Sequence, residues 1–67
     1  MTSLTVKEKT VYDAIKITIE ENSTYCVDVE MISWNCDLSE SQIKGCISAL
    51  LKKGMVGEVE PKCYEAY

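Results

Sequence analysis

Sixty-seven residues allow one domain, and at 46% apolar and 27% charged the chain falls among soluble globular sequences rather than disordered ones. Seven basic residues against eleven acidic ones leave a formal charge of −4, which opposes adventitious binding to phosphate or anionic lipid. No apolar run approaches the ~20 residues that span a bilayer, and MTSLTVKEK lacks the start of a secretory signal, so no membrane contact and a cytoplasmic location are expected.

Thr5 followed by Glu8 is a capping-box pattern and predicts a first helix starting there. Val11, Ala14, Ile15, Thr18 and Ile19 recur at three- and four-residue spacings, which gives that helix one apolar stripe and an end near Asn22. Ile17 lies off the stripe. Thr24 to Val27 form a short β-prone run, expected to add one strand to a sheet formed elsewhere. Asp28 then offers a cap for a short helix over about 28–35, closed by the turn-forming Asn35-Cys36-Asp37.

Ser39 and Gln42 form a second capping box, with Leu38 placed for a hydrophobic staple. The helix it starts carries Ile43, Cys46, Ile47, Leu50 and Leu51 toward the core. Lys52 and Lys53 suit its negative end, and Gly54 suits the left-handed position after it. Met55 to Val59 and Cys63 to Tyr67 are β-prone runs separated by Glu60-Pro61-Lys62, a hairpin with Pro61 at its tip, where no ladder donor is needed.

Charge is unevenly spread. Between residues 39 and 54, Lys44, Lys52 and Lys53 stand against Glu40, the one segment with a net positive balance. On 100° steps, Ser41, Lys44, Gly45, Ser48 and Lys52 fall opposite the core stripe, and small residues there allow close approach of a partner.

The order of elements, a helix, short strand, short helix, turn, capped helix and hairpin, resembles the winged helix-turn-helix. LTVKEKTVYDAI is similar to the opening helix of MarR-like regulators, and LSESQIKGCISALLKKGMV to their recognition helix running into the wing. The resemblance covers nearly the whole chain. It implies an α+β domain over 1–67, with three helices and a small antiparallel sheet made of the short strand and the hairpin. It also implies binding to double-stranded DNA in transcriptional control, with the 39–53 helix in the major groove. By position, Ser39, Glu40, Ser41, Gln42, Lys44, Gly45 and Ser48 become the groove-facing set, and Lys52 and Lys62 the phosphate partners. In two respects the chain departs from that pattern: the helix has no arginine, the commonest reader of guanine, and the hairpin is acidic.

A winged helix serving as a protein-interaction adaptor is the alternative reading, supported by that same acidity. A homodimer would double the DNA contacts, and self-association would use Tyr12 and Ile17 or the edge of the terminal strand with Tyr64 and Tyr67. The four cysteines, Cys26, Cys36, Cys46 and Cys63, form no C-x-x-C pair and read as thiols in a reducing compartment, with Cys36 in the turn the accessible one. Histidine is absent, no glycine-rich phosphate loop is present, and neither an enzyme nor a cofactor or metal is expected. Trp34 and Tyr25 read as core or core-edge residues.

Overall fold

In the computed structural model, which describes residues 3–67, Thr5 Oγ1 accepts from the Glu8 N–H at 3.1 Å while the Glu8 carboxylate accepts from the Thr5 N–H at 3.0 Å. This reciprocal cap starts α1 (Val6–Asn22), which Ser23 ends in a left-handed conformation. Asp28 accepts from the Met31 N–H at 2.9 Å and starts α2 (Val29–Ser33). Ser39 and Gln42 make the second reciprocal box at the head of α3 (Glu40–Lys52), and Gly54 follows it at φ 73. Each helix therefore begins where a side chain can satisfy N–H groups that have no carbonyl partner. The described N-terminal residues begin at Ser3, so the first two residues of the expected non-signal start lie outside the description.

β1 (Val56–Glu60) and β2 (Cys63–Ala66) form an antiparallel pair with Gly57 opposite Glu65 and Glu58 opposite Tyr64. The register shifts by one residue before the Pro61-Lys62 turn, where Lys62 sits at φ 63. Among the described residues the fold is thus α+β, three helices with a two-stranded antiparallel sheet.

The strand expected over Thr24–Val27 contracts to a single bridge, in which Val27 and Tyr64 exchange both backbone hydrogen bonds at 2.9 and 2.8 Å. The cause is local: the residue after Val27 is already the cap of α2, so the chain turns away before a ladder can extend. The bridge lies on the far side of β2 from β1, so the edge of the terminal strand, expected to be open, is occupied at Tyr64. Tyr64 uses its own N–H and carbonyl on Val27, and β1 is the outer strand.

The core gathers Val11, Ala14 and Ile15 from α1, Ile32 from α2, and Ile43, Cys46, Ile47 and Leu50 from α3, closed by Val27 and Val56. Full burial of each large aliphatic side chain contributes about 1.5–3 kcal/mol. Leu51, expected in the stripe, is 38% exposed, because Ile43, Ile47 and Leu50 already fill the face turned to α1 and α2. Trp34 and Tyr25, expected at the core or its edge, are 63% and 61% exposed. α2 is only five residues long, so Ile32 alone reaches the interior and Trp34, its C-cap, is left outside. One buried polar group bridges α1 to the turn: Thr18 Oγ1 donates to the Ala14 carbonyl at 2.6 Å and accepts from Asn35 Nδ2 at 2.7 Å.

The expectation of four thiols is also corrected. Cys26 and Cys63 form a disulfide across 37 residues with Cα atoms 5.4 Å apart, while Cys36 and Cys46 remain free. Each cysteine directly precedes a residue of the Val27–Tyr64 bridge, and the separation of their Cα atoms lies in the range that a disulfide spans. No described helix is long and apolar enough to cross a membrane.

Candidate functional site

The apolar stripe of α3 buries Ile43, Cys46, Ile47 and Leu50, which forces the intervening positions outward. Ser39, Glu40, Ser41, Gln42, Lys44, Gly45, Ser48 and Lys52 are all exposed, as is Lys62 at the hairpin turn. A Cβ placed on Gly45 would meet nothing within 4 Å, so this glycine serves no internal packing.

Two of these side chains are partly committed to the fold. Ser39 Oγ accepts the Gln42 N–H at 3.3 Å, and Gln42 Oε1 accepts the Ser39 N–H at 3.1 Å. Among the described residues, Ser41, Lys44, Ser48 and Lys52 make no such side-chain hydrogen bond, and Gly45 has no side chain to commit. Among the described residues the ion pairs are Lys9–Asp13 and Lys53–Glu8, so the ammonium groups of Lys44, Lys52 and Lys62 are unpaired.

Lys53 behaves differently from its neighbour Lys52. Its Nζ donates to Glu8 Oε1 at 2.6 Å and to the Ser3 carbonyl at 2.9 Å, which removes it from the cations of the outer face. The Lys53 ammonium, with the Thr5 N–H adding to it, holds the Glu8 carboxyl below its ordinary value of 4.5.

Lys44 and Lys62 come from different elements and line one cleft of about 360 Å³ between the start of α2, the first half of α3 and the hairpin turn. Asp28, Glu30 and Glu40 line it too, with Val29 and Tyr64. The cleft therefore joins helix and hairpin, and it mixes two cations with three carboxylates.

The hairpin turn is placed by several contacts. Pro61 supplies the fixed φ of the first turn position, and the Lys62 N–H donates to Glu58 Oε2 at 2.9 Å. The Tyr25 hydroxyl donates to the Glu60 carboxylate, which raises the Tyr25 phenol above its ordinary value of 10.0. Tyr12, expected on a self-association surface, instead donates its hydroxyl to the Tyr67 carbonyl and carries the Lys16 ammonium 5.0 Å from its ring centre. Ile17 is exposed as expected.

Asp28, Val29, Glu30 and Tyr64 line the cleft without being marked as site residues by the sequence, and Cys63 of the crosslink stands between two lining residues, Lys62 and Tyr64. Asp28 was legible as a cap, but its second place on the cleft depends on how α2 crosses α3. Burial raises the Cys46 thiol above its ordinary range, and the Glu8 carboxylate adds to the effect, as expected of a small core residue. Compared with protein-family models, with curated proteins and with solved structures, the chain shows no significant match to any of them.

Proposed function

We propose that the chain is a winged helix-turn-helix protein that binds duplex DNA, with the outward face of α3 in the major groove and the hairpin as the wing. The observation that carries this reading is the free face of α3. Ser41, Lys44, Gly45, Ser48 and Lys52 are exposed together, and Gly45 opens that face without any internal packing reason. A helix-centre glycine costs about 0.5–1 kcal/mol relative to alanine, a cost that close approach by a partner would offset. The order of the sheet supports the same reading: Val27 pairs with β2, β2 with β1, and the turn places Lys62 on a cleft shared with Lys44. Serine hydroxyls and lysine ammoniums suit phosphate oxygens and base edges, and no enzymatic chemistry is assigned to the chain.

Affinity is modest by this account. Three unpaired lysines release few counterions, so binding is expected at low salt and falls steeply as salt rises. Titration with mixed-sequence duplex DNA at two salt concentrations tests it. Binding that weakens with salt and drops further in Lys44→Glu is the expected result, and no binding at low salt overturns it.

A specific feature favours the second reading, a winged helix used as a protein adaptor. Asp28, Glu30 and Glu40 surround the two lysines of the cleft, and such a mixed surface suits a protein partner of matching charge better than a polyanion. On that reading Lys44→Glu, which reverses a charge of the cleft, reduces capture of the protein partner, and DNA binding is absent at every salt concentration.

A further inference from the structure

Cys26 and Cys63 meet just below the hairpin turn. Cys63 directly follows Lys62, and Cys26 directly precedes the bridging Val27. The two halves of this junction are anchored unequally. The Thr24 N–H donates to the Ile19 carbonyl at 3.2 Å and Val27 is fully buried, so the 24–27 segment is a fixed post on α1 and the core. On the other side, β2 is held to the post by the Val27–Tyr64 bridge, and the hairpin turn that leads into Cys63 is tied to it by the disulfide and the Tyr25–Glu60 hydrogen bond.

We propose that the Cys26–Cys63 disulfide is a reversible latch, opened by a dithiol reductant, that fixes the hairpin turn and holds Lys62 on the cleft beside Lys44. Accessibility sets the order of events. Cys26 is 6% exposed while Cys63 is half-buried, so Cys63 is the more open end of the bond to an incoming thiolate. That thiolate attacks Cys63 Sγ and the Cys26–Cys63 bond breaks. A mixed disulfide forms, and Cys26 leaves as a thiolate that takes up a proton. The second thiol of the reductant then attacks the mixed disulfide and frees Cys63, which is protonated in turn. The protein gains two electrons and two protons, and the dithiol is oxidised to its own disulfide. Cys46, buried in the core, and Cys36, in the turn before α3, lie outside this exchange, so the second thiol comes from the reductant.

With the latch open, Val27 and Tyr64 keep their two backbone hydrogen bonds and the core keeps its contacts, but the turn loses its covalent tie. Lys62 then samples positions away from Lys44. The consequence for DNA rests on the function proposed above, whereas the loosening of the turn does not.

The test uses the full chain, oxidised with glutathione disulfide and then reduced with dithiothreitol at low temperature, followed by nuclear magnetic resonance. Peptide mass mapping of the oxidised protein should show the Cys26–Cys63 crosslink; its absence overturns the proposal. On reduction, backbone order should fall at residues 60–64 while the signals of Ile15, Ile43 and Leu50 stay at folded positions. An unchanged turn overturns the latch, and so does collapse of the whole spectrum, which makes the disulfide a staple of the fold. On mixed-sequence duplex, reduction should weaken binding and lower the salt slope by about one, the contribution of one phosphate contact. Equal affinity and slope in both states breaks the link between latch and binding. If neither state binds, the DNA reading fails while the resonance result still decides the latch.

Discussion

Lys53 and Glu8, 45 residues apart, close on each other at 2.6 Å and join the end of α3 to the first turn of α1. The pair is partly screened from solvent, and Glu8 serves at the same time in the Thr5 capping box. One carboxylate thus serves both the start of α1 and the end of α3.

Acid should therefore loosen the fold through Glu8. Its folded-state carboxyl titrates below 4.5, so the stability it contributes is fully present above 4.5 and is lost as pH falls through the lower folded value. Glu8→Gln is expected to lower the melting temperature at neutral pH and to flatten its decline in acid, measured by circular dichroism from neutral to acidic pH. Lys53→Met should flatten the same limb. An acid limb unchanged in both variants would assign it to other carboxylates.

Two glycines should respond in opposite directions. Gly45→Ala adds a methyl to open space in the middle of α3 and is expected to stabilise the protein by about 0.5–1 kcal/mol. Gly54→Ala forces a side chain into φ 73 and should cost about 1–2 kcal/mol. Urea unfolding of the two variants checks both signs. A stable Gly45→Ala protein that binds DNA less well would tie the glycine to the outer face of the helix rather than to the fold.

Reduction of the Cys26–Cys63 bond should lower the melting temperature while leaving the chain folded at the low temperature of the latch test. A crosslink between residues 37 positions apart removes chain entropy from the unfolded state worth about 4 kcal/mol. For a domain of this size that corresponds to a fall in melting temperature of about 15–30 °C. Calorimetry with and without dithiothreitol reads it directly. A shift of only a few degrees would mean that the unfolded chain is already held compact.

Local signals carried most of the fold. Thr5 with Glu8, Asp28, and Ser39 with Gln42 announce three helix starts because capping needs particular side chains at fixed offsets, and Gly54 and Pro61 mark positions where backbone geometry restricts the residue. The exposed face of α3 follows from the spacing of Ile43, Cys46, Ile47 and Leu50. What stayed hidden depends on contacts distant in sequence. Nothing near Cys26 identifies Cys63 as its partner, and nothing near Lys53 says that it is spent on Glu8. The size of Trp34 and Tyr25 suggests a place at the core or its edge, while the brevity of α2 and the turn into its cap leave both outside. The carboxylates around Lys44 and Lys62 come together only when α2, α3 and the hairpin are assembled.

The most direct test of the central claim is amide-resonance mapping of the oxidised chain titrated with mixed-sequence duplex DNA at low salt. DNA binding through the outer face of α3 predicts that shifts concentrate at Ser41, Lys44, Gly45, Ser48 and Lys52, extend to Lys62, and fade as salt is raised. A spectrum left unmoved by excess duplex, or shifts confined to the opposite side around Lys9 and Asp13, would contradict it.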